Sequence, residues 1–195
     1  MLFGYINSPA EWNIFLHKVL PDVYERHLSL FVDDILASSK EWAEHLSELK
    51  YVFERLSGAG VKISLRKCQF VKKAVNYLGY HLSSNGVSPQ SQKVEAIMKL
   101  KEPVNVSQLR SLLGIFNFYR RFIERYAELV EPLQRLLKKN VQWSFGDSQR
   151  QAMRELKYRL CNAPVLAYPQ FSPGAEFIVE TTFSSKSLGA ILSIG

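Results

Sequence analysis

The chain has 195 residues, 47% of them apolar, which allows one ordinary domain or two small ones with a real core and argues against disorder. Its formal charge of +7 favours a polyanionic partner, and the charge is uneven: residues 87–160 hold 14 Lys/Arg against 7 Asp/Glu, residues 1–86 only 10 against 9. No apolar run approaches the ~20 residues of a membrane span, and the start has neither a basic n-region nor an apolar h-region, so an intracellular protein, cytoplasmic or nuclear, is expected.

In chain order, residues 9–20 read as a helix, with Pro9 in the first turn and Trp12, Phe15, Leu16 and Val19 forming an apolar stripe. Short apolar runs at 27–31 and 35–37 flank Asp33 and Asp34, the pattern of strand, tight turn and strand. Residues 41–57 form an amphipathic helix with Leu46, Leu49, Val52, Phe53 and Leu56 on one face, stopped by Gly58 and Gly60. Strands are expected at 61–65 and 75–82, joined by a basic connector at 66–73, and Asn85-Gly86 marks a turn. Helices follow at 90–100, 106–117, 119–138 and 147–160, then strands at 177–181 and 188–192. Cys68 and Cys161 belong to no ligand pattern and read as two buried thiols. The four histidines share no zinc spacing.

The sharpest local feature is Phe31-Val32-Asp33-Asp34. Two adjacent carboxylates at a hairpin tip, in an apolar setting, repel each other and lose hydration. A divalent cation removes that cost, and Mg²⁺ takes a few carboxylate oxygens together with phosphate oxygens. By itself the pair reads first as a solvated turn, because Asp-Asp pairs are common in turns.

The pair does not stand alone. Phe31-Val32-Asp33-Asp34-Ile35-Leu36 resembles the Tyr-x-Asp-Asp motif of reverse transcriptases. Upstream, Phe3-Gly4-Tyr5-Ile6-Asn7-Ser8-Pro9-Ala10 resembles their Phe-Gly-Leu-Lys-Asn-Ala-Pro palm motif. Lys67-Cys68-Gln69-Phe70 and Tyr77-Leu78-Gly79-Tyr80 resemble the Lys-Cys-x-Phe and primer-grip elements. Leu109-Arg110-Ser111-Leu112-Leu113-Gly114 and Asn117-Phe118-Tyr119-Arg120-Arg121-Phe122-Ile123 resemble the thumb, and Ala163-Pro164-Val165-Leu166-Ala167 the connection. In order and spacing the set resembles the reverse transcriptase and ribonuclease H region of Pol polyproteins from gypsy-like LTR retrotransposons.

The resemblance implies an α+β fold: a partial polymerase palm with a helical thumb, then a connection segment and a truncated ribonuclease H-like β edge. The implied domains are a palm over 1–86, a thumb and connection over 87–160, and a ribonuclease H-like start over 161–195. It implies RNA-directed DNA polymerisation in the intact ancestor, with Mg²⁺ as cofactor, a dNTP as substrate and an RNA or DNA primer–template as partner. Asp33 and Asp34 take the place of catalytic metal ligands. Tyr77, Leu78, Gly79 and Tyr80 take the primer-grip position. Phe3, Gly4, Asn7, Arg120, Arg121 and Arg125 take nucleic-acid-binding positions, the three arginines on one helix beside Phe118, Tyr119 and Tyr126. A solvated basic helix face is the plainer reading of those arginines.

Departures from the family pattern set the expected activity. The family's third metal-binding carboxylate lies upstream of the Phe-Gly motif, and here no Asp or Glu precedes Glu11. Phe177-Ile178-Val179-Glu180-Thr181-Thr182 resembles the first ribonuclease H strand, with Thr182 in place of its metal-binding Asp. The isolated chain is therefore expected to be inactive as a polymerase and as a nuclease. The alternative is a non-catalytic nucleic-acid-binding or protein-interaction module domesticated from a decayed retroelement.

Overall fold

The computed structural model describes residues 6–168, 176–183 and 188–194. The chain divides into two compact units, Met1–Val71 and Lys72–Gly195. This division falls ahead of residue 86, so the strands carrying Tyr77, Leu78, Gly79 and Tyr80 pack with the helices that follow them.

In the first unit, helix α1 (Ser8–Val19) is followed by the antiparallel pair β1 (Leu28–Phe31) and β2 (Asp34–Ala37), then helix α2 (Trp42–Gly58). Leu16, Val19, Leu20, Val23, Leu28, Val52 and Leu56 form its core. The apolar stripe foreseen on α2 is only half right. Val52 and Leu56 are buried, whereas Leu46 and Phe53 are exposed. Glu48 turns inward instead, because Arg26 pairs with it at 3.3 Å. Arg26 also lies 4.0 Å over the Tyr51 ring, and the Tyr51 hydroxyl donates to Asp22 at 3.0 Å. Burial, then the Asp22 carboxylate, pushes the Tyr51 pKa up. This charged network decides which face of α2 points in.

The strand expected at 61–65 does not form. That stretch has no regular structure until a single 3₁₀ turn at Leu65–Lys67. A strand needs a ladder partner, and β1 and β2 pair only with each other. Cys68 is half-buried and Cys161 exposed, so the pair of buried thiols is corrected.

In the second unit, the expected strand at 75–82 is a hairpin: β3 (Ala74–Tyr77) and β4 (Tyr80–Ser83), with β5 (Gly86–Pro89) completing a three-stranded antiparallel sheet. Leu78 and Gly79 reverse the chain at φ 49° and 85°. Two successive left-handed residues make the tight turn that suits strand twist, and a leucine in the first place hid it from the sequence. The Asn85-Gly86 turn forms as expected, with Ser83 opposite Gly86.

Helices α3 (Ser91–Met98), α4 (Val106–Phe118), α5 (Tyr126–Arg135) and α6 (Asp147–Cys161) follow. Asn105 caps α4 by accepting from the Gln108 amide at 2.9 Å, while the Gln108 side chain accepts from Val104 N at 3.0 Å. Leu109, Phe116, Val130, Leu133, Leu156 and Leu160, each at most 1% exposed, centre the core. The helix expected over 119–138 is broken. Arg120–Phe122 form a 3₁₀ turn, and Arg125 is left-handed at φ 53° before α5 begins. Strands β6 (Phe177–Phe183) and β7 (Leu188–Ile194) pair antiparallel, as anticipated.

Candidate nucleic-acid interface

The first candidate feature is the tip of the β1–β2 hairpin. Phe31 pairs with Asp34, which leaves Val32 and Asp33 as a two-residue loop. Val32 is left-handed at φ 49°, and the Trp12 indole of α1 donates to its carbonyl at 2.7 Å. Asp33 and Asp34 are both exposed, as are Phe31 and Val32. The apolar setting expected around the carboxylates is thus corrected: they keep their hydration. As donors they suit a hard cation in type, and no group of three or more His, Cys, Asp or Glu able to hold a metal occurs among the described residues. Two carboxylates fall short of the three that the resemblance calls for. Thr182 lies in β6 opposite Gly189.

Phe3 and Gly4 lie outside the described residues. Asn7 is exposed immediately before α1, its carbonyl accepting from the Glu11 amide at 3.0 Å.

The second feature, within the other unit, is the β3–β4 turn. The Gly79 carbonyl accepts from the Tyr119 hydroxyl at 3.0 Å and from the Gln90 amide at 3.2 Å. The Tyr80 ring stacks on Phe118 with centroids 5.0 Å apart, and its hydroxyl donates to the Phe118 carbonyl at 3.3 Å. A helix end leaves carbonyls without partners, and here Tyr80 supplies one. Burial raises the pKa of Tyr119, with Tyr80 adding to the rise. Leu78 stays exposed at the tip.

The three arginines do not share a helix. Arg120 and Arg121 sit exposed on the 3₁₀ turn, Arg121 with its guanidinium 5.7 Å from the Phe122 ring. Arg125 stands at the break before α5 and pairs with Glu128, which raises its pKa and engages its charge. Other acids of the segment are used similarly: Glu131 by Arg135, Glu102 and Asp147 by Arg150, Glu155 by Arg159. Among the described residues Arg110, Arg120 and Arg121 make no salt bridge, so their charge faces solvent. Arg110, Gly114 and Phe118 are all exposed along α4 at helical spacing. At Gly114 an added Cβ meets nothing within 4 Å. Arg110 and Gly114 lie in the thumb-like motif, but the sequence does not single them out as candidate contacts. Their four-residue spacing to Phe118 is visible in it, but nothing there links that face to the β3–β4 turn.

Comparison with known proteins gives these features a family. Residues 1–82 match the reverse transcriptase (RNA-dependent DNA polymerase) family, and residues 145–194 match the RNase H-like domain found in reverse transcriptase. The chain is 35% identical over 193 residues to the Transposon Tf2-3 and Tf2-7 polyproteins of Schizosaccharomyces pombe (strain 972 / ATCC 24843). That alignment covers 99% of this chain and 14% of each polyprotein, so the chain spans about one seventh of their length. Among solved structures it is similar to foamy viral protease-reverse transcriptase dRH in complex with dsDNA, at TM-score 0.86 and 27% identity, over 98% of this chain and 33% of that one. The same viral protein in complex with RNA/DNA hybrid matches at TM-score 0.79 and 25% identity, over 100% of this chain and 28% of that one. The ordered motifs, the mixed α and β fold and these likenesses agree: residues 1–82 belong to the reverse transcriptase family, and the chain as a whole is similar to one region of retrotransposon polyproteins.

Proposed function

We propose that this chain is the palm and thumb part of a retroelement reverse transcriptase, and that by itself it binds a primer–template duplex without extending it. The palm is assigned to residues 1–86, the thumb and connection to 87–160, and the ribonuclease H-like start to 161–195. The observation that carries the reading is the solvent-facing charge of Arg110, Arg120 and Arg121, on α4 and the turn after it, together with Phe118 at the end of α4 stacked on Tyr80 of the β3–β4 turn. Such a surface meets phosphates from outside and reads no bases. Gly114 leaves room on α4 for a backbone to approach closely. The similar viral structures are complexes with dsDNA and with an RNA/DNA hybrid, which supports the same partner class here. A nucleic-acid-handling role suits a protein working inside the cell.

Asp33 and Asp34 are proposed as metal ligands of the polymerase lineage. With a further carboxylate they would hold Mg²⁺, which would supply charge neutralisation for phosphoryl transfer from a dNTP to a primer hydroxyl. Two carboxylates alone do not complete that ligand set.

The test is a titration of a primer–template duplex at several salt concentrations. Wild type should bind without sequence preference, with affinity falling steeply as salt rises. Joint replacement of Arg120 and Arg121 by Ala should lower the slope of log K against log salt by about 0.9 for each phosphate that is no longer neutralised. Arg125→Ala should change it less, because Glu128 already engages that charge. Asp33→Asn with Asp34→Asn should leave binding intact. An unchanged slope in the Arg120/Arg121 variant would leave only a solvated basic surface.

A further inference from the structure

We infer that Tyr119 and Phe118 are positioning residues for the turn at Leu78 and Gly79, holding its tip at one place for the primer end; this rests on the reading of that turn as the primer-contacting element. Leu78 at φ 49° occupies a conformation that side-chain-bearing residues enter reluctantly. Such a turn keeps its shape only where its surroundings over-determine it. Here they do. The Gly79 carbonyl takes two donors from different elements, the Tyr119 hydroxyl after α4 and the Gln90 amide before α3. A Cβ on Gly79 would lie 3.2 Å from the Phe118 ring and 3.4 Å from the Tyr119 hydroxyl, so the backbone is pressed against both. The Tyr80 stack on Phe118 adds a lateral restraint.

The division of labour within Tyr119 makes the inference testable. Tyr119 is 4% exposed and belongs to the core with Phe116 and Phe122. Its hydroxyl makes its hydrogen bond to the turn. Tyr119→Phe therefore keeps the core and releases the tip, a change that a purely packing role for Tyr119 would not produce. Phe118→Leu is the second variant: it keeps an apolar side chain against Gly79 and removes the stack with Tyr80.

The probe is a primer–template duplex carrying a photoreactive base at the primer 3′ end, read together with amide hydrogen exchange. In wild type, crosslinks should fall on residues 77–80. In Tyr119→Phe, exchange at the turn and at the Gln90 amide should rise about three- to tenfold, the factor expected from removing one hydrogen bond, while α6 amides keep their protection. Crosslinking to residues 77–80 should drop several-fold while overall duplex affinity, set by Arg120 and Arg121, stays as in wild type. Phe118→Leu should likewise raise exchange at the turn and lower crosslinking to residues 77–80, with affinity judged on Tyr119→Phe alone. If both variants keep wild-type turn exchange and wild-type crosslinks, the inference is overturned. If wild type itself never crosslinks at 77–80, the primer-contact reading fails instead, and the exchange data still decide whether Tyr119 holds the turn.

Discussion

Val32 carries a side chain poorly suited to its backbone. A β-branched residue in the left-handed region costs about 1–2 kcal/mol, and the Trp12 indole helps to keep it there by donating to its carbonyl. Asparagine tolerates that region and fits a two-residue hairpin loop. Val32→Asn should therefore raise the unfolding free energy by about 1 kcal/mol, measured as a later denaturant midpoint with unchanged slope. A lower midpoint would show that the valine side chain packs well enough to outweigh its strain. The hairpin around this residue is legible in the sequence, because apolar runs on either side of Asp33-Asp34 admit little else. The exposure of the two carboxylates is not legible. Apolar neighbours in sequence do not make apolar surroundings, and Phe31 and Val32 themselves face solvent.

Element boundaries escape the sequence where backbone conformation departs from residue preference. The helix expected over 119–138 satisfies apolar periodicity on both sides of Arg125, and periodicity is blind to a single left-handed residue. The same blindness merges β3 with β4 across Leu78 and Gly79. Asn85-Gly86 is read correctly because its residues advertise the turn. Gly86 also does more than turn the chain. At φ 130° its missing Cβ leaves space for the Leu166 carbonyl, which a Cβ would meet at 2.2 Å. Val87 and Leu166 exchange two backbone hydrogen bonds of 2.8 Å beside it, tying the segment after α6 to β5. Gly86→Ala should cost about 2–3 kcal/mol through backbone strain and loss of that bridge. Thermal melting, with amide exchange at Val87 and Leu166, checks it. Retained protection at both amides would mean that the strand shifts to accept the methyl group.

At the scale of the whole chain, purified protein should extend no primer on an RNA template with Mg²⁺ or Mn²⁺, and should cleave no RNA–DNA hybrid. The expectation rests on a donor set of two carboxylates at the hairpin and on Thr182 in β6. The control is the Asp33→Asn/Asp34→Asn variant, and extension or cleavage above its background would refute the expectation. The sequence by itself determined the family, the hairpin that presents Asp33 and Asp34, most of the helices, and the concentration of basic charge in 87–160. The family follows from the order of short motifs along the chain, and the other features are local, each read from residue order, periodicity or composition within one segment. Only the tertiary structure decided that Glu48 is buried and Phe53 exposed, and that 61–65 lacks a ladder partner. It also decided that Arg125 is engaged by Glu128 while Arg120 and Arg121 face solvent, and that Tyr119 reaches across some forty residues to Gly79. Each of these depends on which distant groups meet, and a buried charge or a strained turn takes its conformation from the partner that satisfies it rather than from its neighbours in the chain.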